Sequence, residues 1–136
     1  DITTVLLHST FTFKTHITMS KRALVLIDIQ NDYFPSGRWP LVRIDEAADN
    51  AAKLLGAARA KGDVVVHVRH EFPSADAPFF TPNSDGAKTH PKVAPQPGEP
   101  VVLKNHVNSF KETDLRAILD QHGVDEVVIC GAMSHM

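Results

Sequence analysis

The amino-acid sequence predicts an α/β fold in which a doubly wound, Rossmann-like parallel sheet lies between two layers of helices. Short, near-continuous apolar runs alternate with segments of helical periodicity, and a glycine follows each helical segment. Strands buried on both faces have such runs, and their alternation with helices is typical of parallel sheets. Ligands bind to these folds outside the carboxyl ends of the strands, so functional residues are expected there.

Four apolar segments are predicted to form the strands of the sheet. The first covers residues 23–29 and carries Asp28 close to its C-terminal end. The others are residues 64–68, Val101–Lys104 and residues 126–130. Val and Ile dominate these segments, as expected for strands in a buried sheet.

Two helices are predicted between these strands. Asp45 is expected to cap the first helix, which runs for about 16 residues and ends at Gly62 in a left-handed conformation. Thr113 is expected to cap the second helix, and Gly123 to end it. Their inward faces are predicted to carry apolar side chains, namely Ala48, Ala51, Ala52, Leu55 and Ala58 in the first and Leu115, Ile118 and Leu119 in the second.

A long segment, residues 72–100, has no sustained periodicity and holds seven of the nine prolines. Loops of this length inside a compact domain are usually lids or binding loops, or they are disordered. We therefore expect this segment to influence the choice of substrate.

The chain is expected to hold one domain, residues 19–136, preceded by a leader, residues 1–18, that is non-native or disordered. The leader is rich in Thr and unlike the rest of the chain, and Met19 precedes an ordinary start sequence. The alternative is a short extra strand between Thr3 and Phe13, because this segment is rich in β-branched and aromatic residues.

Composition narrows the classes of function. The chain has 136 residues, of which 43% are hydrophobic, and its formal net charge of −2 gives no electrostatic basis for binding nucleic acid or an anionic membrane. No apolar stretch reaches the roughly 18–20 residues that a membrane-spanning helix needs. A single cysteine excludes an internal disulfide and fits a reducing compartment, so we predict a cytoplasmic protein.

Two charged residues stand at the predicted carboxyl edge of the sheet. Asp28 follows a buried strand, where an ionised carboxylate costs free energy unless it has a partner, so its position indicates an active site of unspecified chemistry. Lys104 ends the third strand. It is either a solvated lysine or a partner of Asp28 that lowers the pKa of a nearby thiol.

Other reactive residue types are expected to be structural. Cys130 lies within an apolar strand and is interpreted as a small buried side chain. His67 and His70 have no further ligand cluster beside them, so a place in a pocket or on the surface is favoured over metal binding. His90 and His106 are interpreted in the same way. The sequence has no glycine-rich phosphate loop and no Gly-x-Ser-x-Gly elbow.

Four separated motifs occur in a specific order. They are residues 26–34 (Leu-Ile-Asp-Ile-Gln-Asn-Asp-Tyr-Phe), Val101–Lys104 with residues 108–110 (Asn-Ser-Phe), residues 113–115 (Thr-Asp-Leu) and residues 128–136 (Val-Ile-Cys-Gly-Ala-Met-Ser-His-Met). Together they resemble the isochorismatase-like cysteine hydrolase superfamily, which includes nicotinamidases and related amidases. The resemblance extends from about Lys21 to the last residue.

The resemblance implies a set of catalytic residues. Asp28 and Lys104 correspond to two members of the family's triad, and the third, a nucleophilic cysteine, is expected at position 137, beyond this sequence. A non-proline cis peptide is implied between Ala132 and Met133. The backbone N–H groups of Met133 and of the nucleophile would form the oxyanion hole.

The resemblance also bears on the substrate. Phe34, Trp39 and His70 are predicted to line the substrate pocket. Nicotinamidases carry an Asp-x-His for a metal after the second strand, whereas residues 66–72 read Val-His-Val-Arg-His-Glu-Phe. This difference argues against a metal and against nicotinamide, and no cofactor is expected. The predicted function is therefore hydrolysis of the C–N bond of a small amide by a Cys-Asp-Lys triad, through a thioester acyl-enzyme.

Two alternatives remain open, an isochorismatase-type vinyl-ether hydrolase without the cysteine and a non-catalytic α/β binding module. The complete protein is expected to act on a small molecule, to bind neither nucleic acid nor membrane, and to form a homo-oligomer. We expect the chain itself to be an inactive fragment whose sheet lacks the strands that follow residue 136 in the family. Val127, Val128 and Ile129 are then predicted to form an exposed edge that promotes association.

Overall fold

A computed structural model describes the backbone of residues 2–8 and all of residues 21–132. Its strands are β1 (Ile2–His8), β2 (Arg22–Ile27), β3 (Val64–His70), β4 (Val101–Lys104) and β5 (Glu126–Ala132). Its α-helices are α1 (Ile44–Lys61) and α2 (Leu115–Gln121). Short 3₁₀ turns lie at Asn31–Tyr33, Asp85–Ala87 and Pro91–Val93.

The strands form one sheet in the order β1-β5-β2-β3-β4. β2 pairs in parallel with both β3 and β5, and β3 pairs in parallel with β4. The predicted α/β fold with a parallel sheet is therefore confirmed, and four parallel strands direct their carboxyl ends to one edge.

The two helices cover opposite faces of this sheet. α1 packs on a cluster that includes Leu24, Leu26, Val65, Ala48, Ala51 and Leu55. α2 packs on a second cluster that includes Ala23, Val25, Val66, Val68, Val102, Leu115 and Leu119. Alternate residues of β2 enter opposite clusters because side chains of a strand alternate between faces. The result is the predicted three-layer arrangement, in which each fully buried Leu or Val contributes about 1.5–3 kcal/mol.

The predicted helix ends agree with the structure better than the predicted starts do. Gly62 ends α1 with φ 73°, and its N–H bonds the carbonyls of the last turn, as expected for a left-handed cap. Asp45 was expected to cap α1 but lies in its first turn, because Arg43 adopts the left-handed conformation and occupies the cap position. Thr113 is likewise not the cap of α2, since helical geometry begins only after Asp114.

The N-terminal segment contributes a strand. β1 pairs antiparallel with β5 along its whole length, from Ile2 opposite Ala132 to His8 opposite Glu126. The alternative of a short extra strand from Thr3 to Phe13 thus holds for residues 3–8, and residues 9–13 lie outside the described residues. Whether residues 1–18 are native stays a prediction.

The exposed edge predicted for the last strand is not present. Val127, Val128 and Ile129 are hydrogen-bonded between β1 on one side and β2 on the other, and all three are half-buried. The prediction was wrong because the partner strand comes from the N-terminal segment, which the hydrophobic pattern did not connect with β5. Neither helix in the described part of the chain is long and apolar enough to span a membrane.

Candidate active site

Asp28 lies immediately after β2 with an unusual backbone conformation. Its φ is 60°, in the left-handed region, and its N–H donates to the carbonyl of Val68 on β3 at 3.0 Å. Few residues other than glycine adopt this region, although Asp and Asn do so more readily. Such conformations cost free energy and concentrate at functional sites. The bend holds the carboxylate at the carboxyl edge of the sheet.

Lys104 meets Asp28 across β3. Its Nζ atom lies 3.2 Å from Oδ2 of Asp28, and the side chains are 2% and 15% exposed, respectively. Because β2, β3 and β4 are parallel neighbours, residues that end β2 and β4 lie at the same edge. The structure therefore brings together the two residues that the sequence marked at this edge.

The Lys104 ammonium has two further neighbours. Its Nζ atom lies 3.2 Å from Nδ1 of His70 and 3.2 Å from the backbone carbonyl oxygen of His106. An ammonium carries three N–H donors, so these two acceptors and Asp28 use its full capacity. The side chain of His106 takes no part in this contact, since its Nε2 pairs with Glu112 at 2.9 Å.

The electrostatics of the site follow from burial. Burial raises the pKa of Asp28, and the charge and hydrogen bond of Lys104 oppose that rise. Oδ1 of Asp28 is buried and accepts no hydrogen bond from the described residues. Burial and the positive charge of Lys104 lower the pKa of His70 to about 4, so its ring is neutral at pH 7. Burial and the charge of Asp28 also raise the pKa of Tyr33.

Gln30 fixes the backbone around this site, and the sequence analysis did not single it out. It is fully buried, and its Nε2 donates to the carbonyls of His70 at 2.8 Å and Ala87 at 2.6 Å. Its Oε1 accepts from the N–H of His70 at 2.8 Å. Gln30 thereby joins the segment after β2 to the end of β3 and to the long loop. The available signal was a polar residue directly after the apolar run predicted as the first strand, residues 23–29.

Asp32 anchors the same loop. Its Oδ2 accepts from the N–H of Phe80 at 2.7 Å, and its Oδ1 from the N–H of Arg38 at 3.2 Å. A Cβ atom at Gly86 would overlap the Asp32 carboxylate, so this position requires glycine. Residues 72–100 are therefore held in place over the site rather than disordered.

The three predicted pocket residues lie in different surroundings. His70 contacts Lys104 directly, as described above. Phe34 is buried and stacks on His90 with 3.6 Å between ring centroids. Trp39 is 45% exposed and stacks on Phe79 at 4.9 Å. Phe79 contacts Phe72, which in turn contacts His70, so an aromatic series connects Trp39 with the charged pair.

The remaining candidates lie away from the pair. His67 is buried on β3, where its Nε2 meets Glu99 at 2.9 Å, and Arg59 of α1 binds the same carboxylate at 2.7 Å. This cluster joins the end of the long loop to α1. Cys130 is fully buried within β5, in agreement with its interpretation as a small core side chain. Across residues 21–132, His, Cys, Asp and Glu form no group of three that fits a metal ion.

The carboxyl end of β5 lies beside the pair. Ile27 of β2 is in register with Gly131 of β5, so Asp28 and Ala132 occupy adjacent positions at the edge. A Cβ atom at Gly131 would lie 3.0 Å from the carbonyl oxygen of Ile27, which shows how closely the strands approach. Met133 and the cis peptide implied at Ala132–Met133 lie outside the described residues.

Comparison with known proteins identifies the family. A model of the isochorismatase domain matches residues 22–136. The chain belongs to the isochorismatase-like hydrolase family. An uncharacterized isochorismatase family protein of Bacillus subtilis, YddQ, is 49% identical over 114 residues, which cover 84% of this chain and 63% of YddQ. A presumed isochorismatase hydrolase from Oleispira antarctica, known from a crystal structure, has a TM-score of 0.84 and 53% identity, covering 90% of this chain and 66% of that one.

Several of the similar proteins are named for a reaction or a location. The maleamate amidohydrolase of Pseudomonas putida is 36% identical, covering 82% of this chain and 59% of the amidohydrolase. The N-carbamoylsarcosine amidase of Thermoplasma acidophilum has a TM-score of 0.74 and 28% identity, covering 82% of this chain and 67% of that one. The secreted isochorismatase effector Isc1 of Verticillium dahliae is 38% identical, covering 83% of this chain and 58% of Isc1. The chain thus spans less than two thirds of YddQ, Isc1 and the amidohydrolase.

Proposed function

We propose that the full-length protein containing this chain hydrolyses the C–N bond of a small-molecule amide through a Cys-Asp-Lys triad. The observation that carries the proposal is the Asp28–Lys104 pair, in which one carboxylate oxygen contacts the ammonium at 3.2 Å. The other oxygen, Oδ1, is buried and has no hydrogen-bond donor among the described residues. It is therefore an acceptor that can take a proton from a nucleophile.

The proposed reaction has two halves. The nucleophile is the cysteine expected at position 137, whose thiol proton passes to Asp28 while the thiolate attacks the amide carbonyl. Asp28 then gives this proton to the leaving nitrogen, the C–N bond breaks, and a thioester remains. In the second half Asp28 takes a proton from water and the hydroxide attacks the thioester. The C–S bond breaks, the acid leaves, and Asp28 returns the proton to the sulfur.

The electrostatics of the site support these proposed roles of Asp28 and the thiolate. Burial raises the pKa of Asp28 towards the range of a useful base, and Lys104 limits that rise, so the carboxylate is still available to accept a proton. The positive charge of Lys104 also favours a thiolate nearby. The backbone N–H groups of Met133 and of the nucleophile are the proposed oxyanion hole, next to a cis peptide at Ala132–Met133.

The names of two relatives support an amide, whereas the name of Isc1 supports the isochorismatase-type alternative. A maleamate amidohydrolase and an N-carbamoylsarcosine amidase are among the similar proteins, and both names denote amide chemistry. An isochorismatase-type vinyl-ether hydrolase and a non-catalytic binding module are the competing functions. Phe34, Trp39 and His70 are proposed to line or border the substrate pocket, with Trp39 as its exposed rim.

The remaining parts of the proposal concern cofactors, location and assembly. We propose that catalysis needs no metal, and dialysis against EDTA tests this, because a metal-dependent enzyme would lose activity and regain it with zinc or iron. The proposed protein is a cytoplasmic homo-oligomer that binds neither nucleic acid nor membrane. Cell fractionation and light scattering of the full-length protein test these two properties.

A trapped intermediate tests the proposed chemistry. The full-length protein is mixed with small primary amides, quenched in acid, digested and analysed by mass spectrometry. An acyl group on the peptide that contains residue 137, together with release of ammonia, supports the proposal. Turnover of a vinyl ether without any adduct would instead support the isochorismatase-type reaction. Absence of turnover and adduct with every amide would contradict the amidase proposal.

A further inference from the structure

The position of His70 suggests a role beyond lining a pocket. Its Nδ1 lies 3.2 Å from the Lys104 ammonium, which has only hydrogen-bond donors to offer. The ring accepts this hydrogen bond only when Nδ1 is unprotonated, in which case the proton of the neutral ring is on Nε2. Nε2 is buried and has no hydrogen-bond partner among the described residues, so the polar contact of the ring is made through Nδ1.

The surroundings hold this ring in one place. His70 is 6% exposed, and both its backbone N–H and its carbonyl are bound by the side chain of Gln30. The ring of Phe72 packs edge-on at 4.5 Å, and Phe80 lies at 6.2 Å. Since the backbone and both flanks are fixed, Nδ1 is a stationary acceptor.

Lys104 needs such an acceptor because a lysine side chain is long and flexible. Asp28, the His106 carbonyl and His70 each accept one ammonium N–H at 3.2 Å. Removing one acceptor leaves a buried donor without a partner, and the ammonium is then free to turn away from Asp28. The ring of His70 thus completes the set of contacts that points Lys104 at the carboxylate.

We propose that His70 is a positioning residue whose neutral ring directs the ammonium of Lys104 to Asp28 by accepting a hydrogen bond at Nδ1. Its importance for catalysis rests on the proposed function, whereas the hydrogen bond itself does not. The role of His70 is to keep the base ionised and aligned, and this role requires no contact between His70 and the substrate.

Nitrogen-15 NMR of the histidine rings tests the tautomer without any assay of turnover. We expect His70 to carry its proton on Nε2 at pH 7 and to stay neutral down to about pH 4. The charges of Lys104 and His106 lower the pKa of His70, and a hydrogen bond with the backbone of His106 raises it. Lys104→Met should raise the pKa of His70. A proton on Nδ1, or a His70 pKa unchanged in Lys104→Met, would overturn the proposal.

Two substitutions test the effect on Asp28. His70→Phe keeps a flat ring but removes the hydrogen-bond acceptor. In His70→Asn the side-chain oxygen can take the place of Nδ1 as the acceptor for Lys104. Carbon-13 NMR of the carboxyl group should show a higher pKa of Asp28 in His70→Phe, because Lys104 opposes the effect of burial less well. Asp28 in His70→Asn should titrate close to the original protein. His122→Phe, at an exposed histidine, is the control and should change nothing.

The outcomes separate this inference from the proposed function. An unchanged pKa of Asp28 in a folded His70→Phe variant would overturn the positioning role, even if the enzyme hydrolyses amides. If His70→Phe fails to fold, the tautomer and the response to Lys104→Met still decide the question. If both NMR results hold and Asp28 proves dispensable for turnover, the proposed function fails while the hydrogen bond to His70 stands.

Discussion

Asp28 follows β2 and Lys104 ends β4, yet Oδ2 of Asp28 lies 3.2 Å from Nζ of Lys104, with β3 between the two strands. The contact exists because parallel neighbours end at one edge and because Asp28 bends back with φ 60°. A buried pair of this kind adds little net stability, but the loss of one partner leaves a buried charge without compensation.

Lys104→Met should lower the free energy of unfolding by about 3 kcal/mol at pH 8, because Asp28 then remains buried without its cation. The loss of Lys104 raises the pKa of Asp28 in the folded state. Protonation relieves the penalty, so the defect should be smaller at pH 4 than at pH 8. Urea unfolding at both pH values measures this. Lys53→Met, at an exposed site, is the control. An equal loss of unfolding free energy in Lys104→Met at both pH values would contradict the interaction between Asp28 and Lys104.

Glu99→Gln should destabilise the protein at neutral pH and have little effect near pH 2. Hydrogen bonds from Arg59, the backbone of Gln96 and His67 lower the pKa of Glu99 to about 2. A lowered carboxyl pKa contributes stability above the unfolded value and loses it as the pH falls towards the folded one. The shift corresponds to about 3 kcal/mol at most. Urea titrations between pH 7 and pH 2 measure this contribution, with Glu46→Gln, at an exposed glutamate of α1, as control.

Two glycine substitutions should have opposite effects on the melting temperature. Gly86→Ala places a Cβ atom against the Asp32 carboxylate and should destabilise the protein by about 1–3 kcal/mol. Gly56→Ala lies within α1 with no atom within 4 Å of the added Cβ, and should stabilise it by about 0.5–1 kcal/mol. Calorimetry of both variants measures the two melting temperatures. A higher melting temperature for Gly86→Ala would show that Gly86 does not pack against the Asp32 carboxylate.

Removal of residues 1–18 should promote association, because β1 covers the outer edge of β5. Size-exclusion chromatography of residues 1–136 and 19–136 at matched concentrations makes the comparison. We expect the shorter chain to form larger species or to melt less cooperatively. Identical elution and identical cooperative melting would show that β1 is not required to cover this edge.

Much of the architecture was predictable because strands buried on both faces appear in the sequence as continuous apolar runs. β4 also has the predicted bounds, although it is an edge strand whose residues alternate between exposed and buried, and Gly62 ends α1 in the predicted left-handed conformation. Asp28 and Lys104 were predictable as residues at the edge because a charge after a buried strand is conspicuous. This prediction needs only the local pattern and the geometry of a parallel sheet.

Other features depend on distant parts of the chain and leave no local signal. The left-handed conformation of Asp28 and the contact of the His106 carbonyl with Lys104 arise from the fold around them. Gln30 binds segments 40 and 57 residues away, which the sequence alone does not pair. The antiparallel pairing of β1 with β5 joins the ends of the described chain and was missed for the same reason.

Asp28→Asn in the full-length protein tests the central claim most directly. Asn is nearly the same size and tolerates the left-handed conformation, so the fold should persist, but it cannot carry the proton between thiol and leaving group. We expect kcat/KM for a small amide substrate to fall by about 10²–10⁴-fold. Asp120→Asn, at an exposed aspartate of α2, should leave kcat/KM unchanged. Turnover by Asp28→Asn within a few fold of the original enzyme would contradict the account.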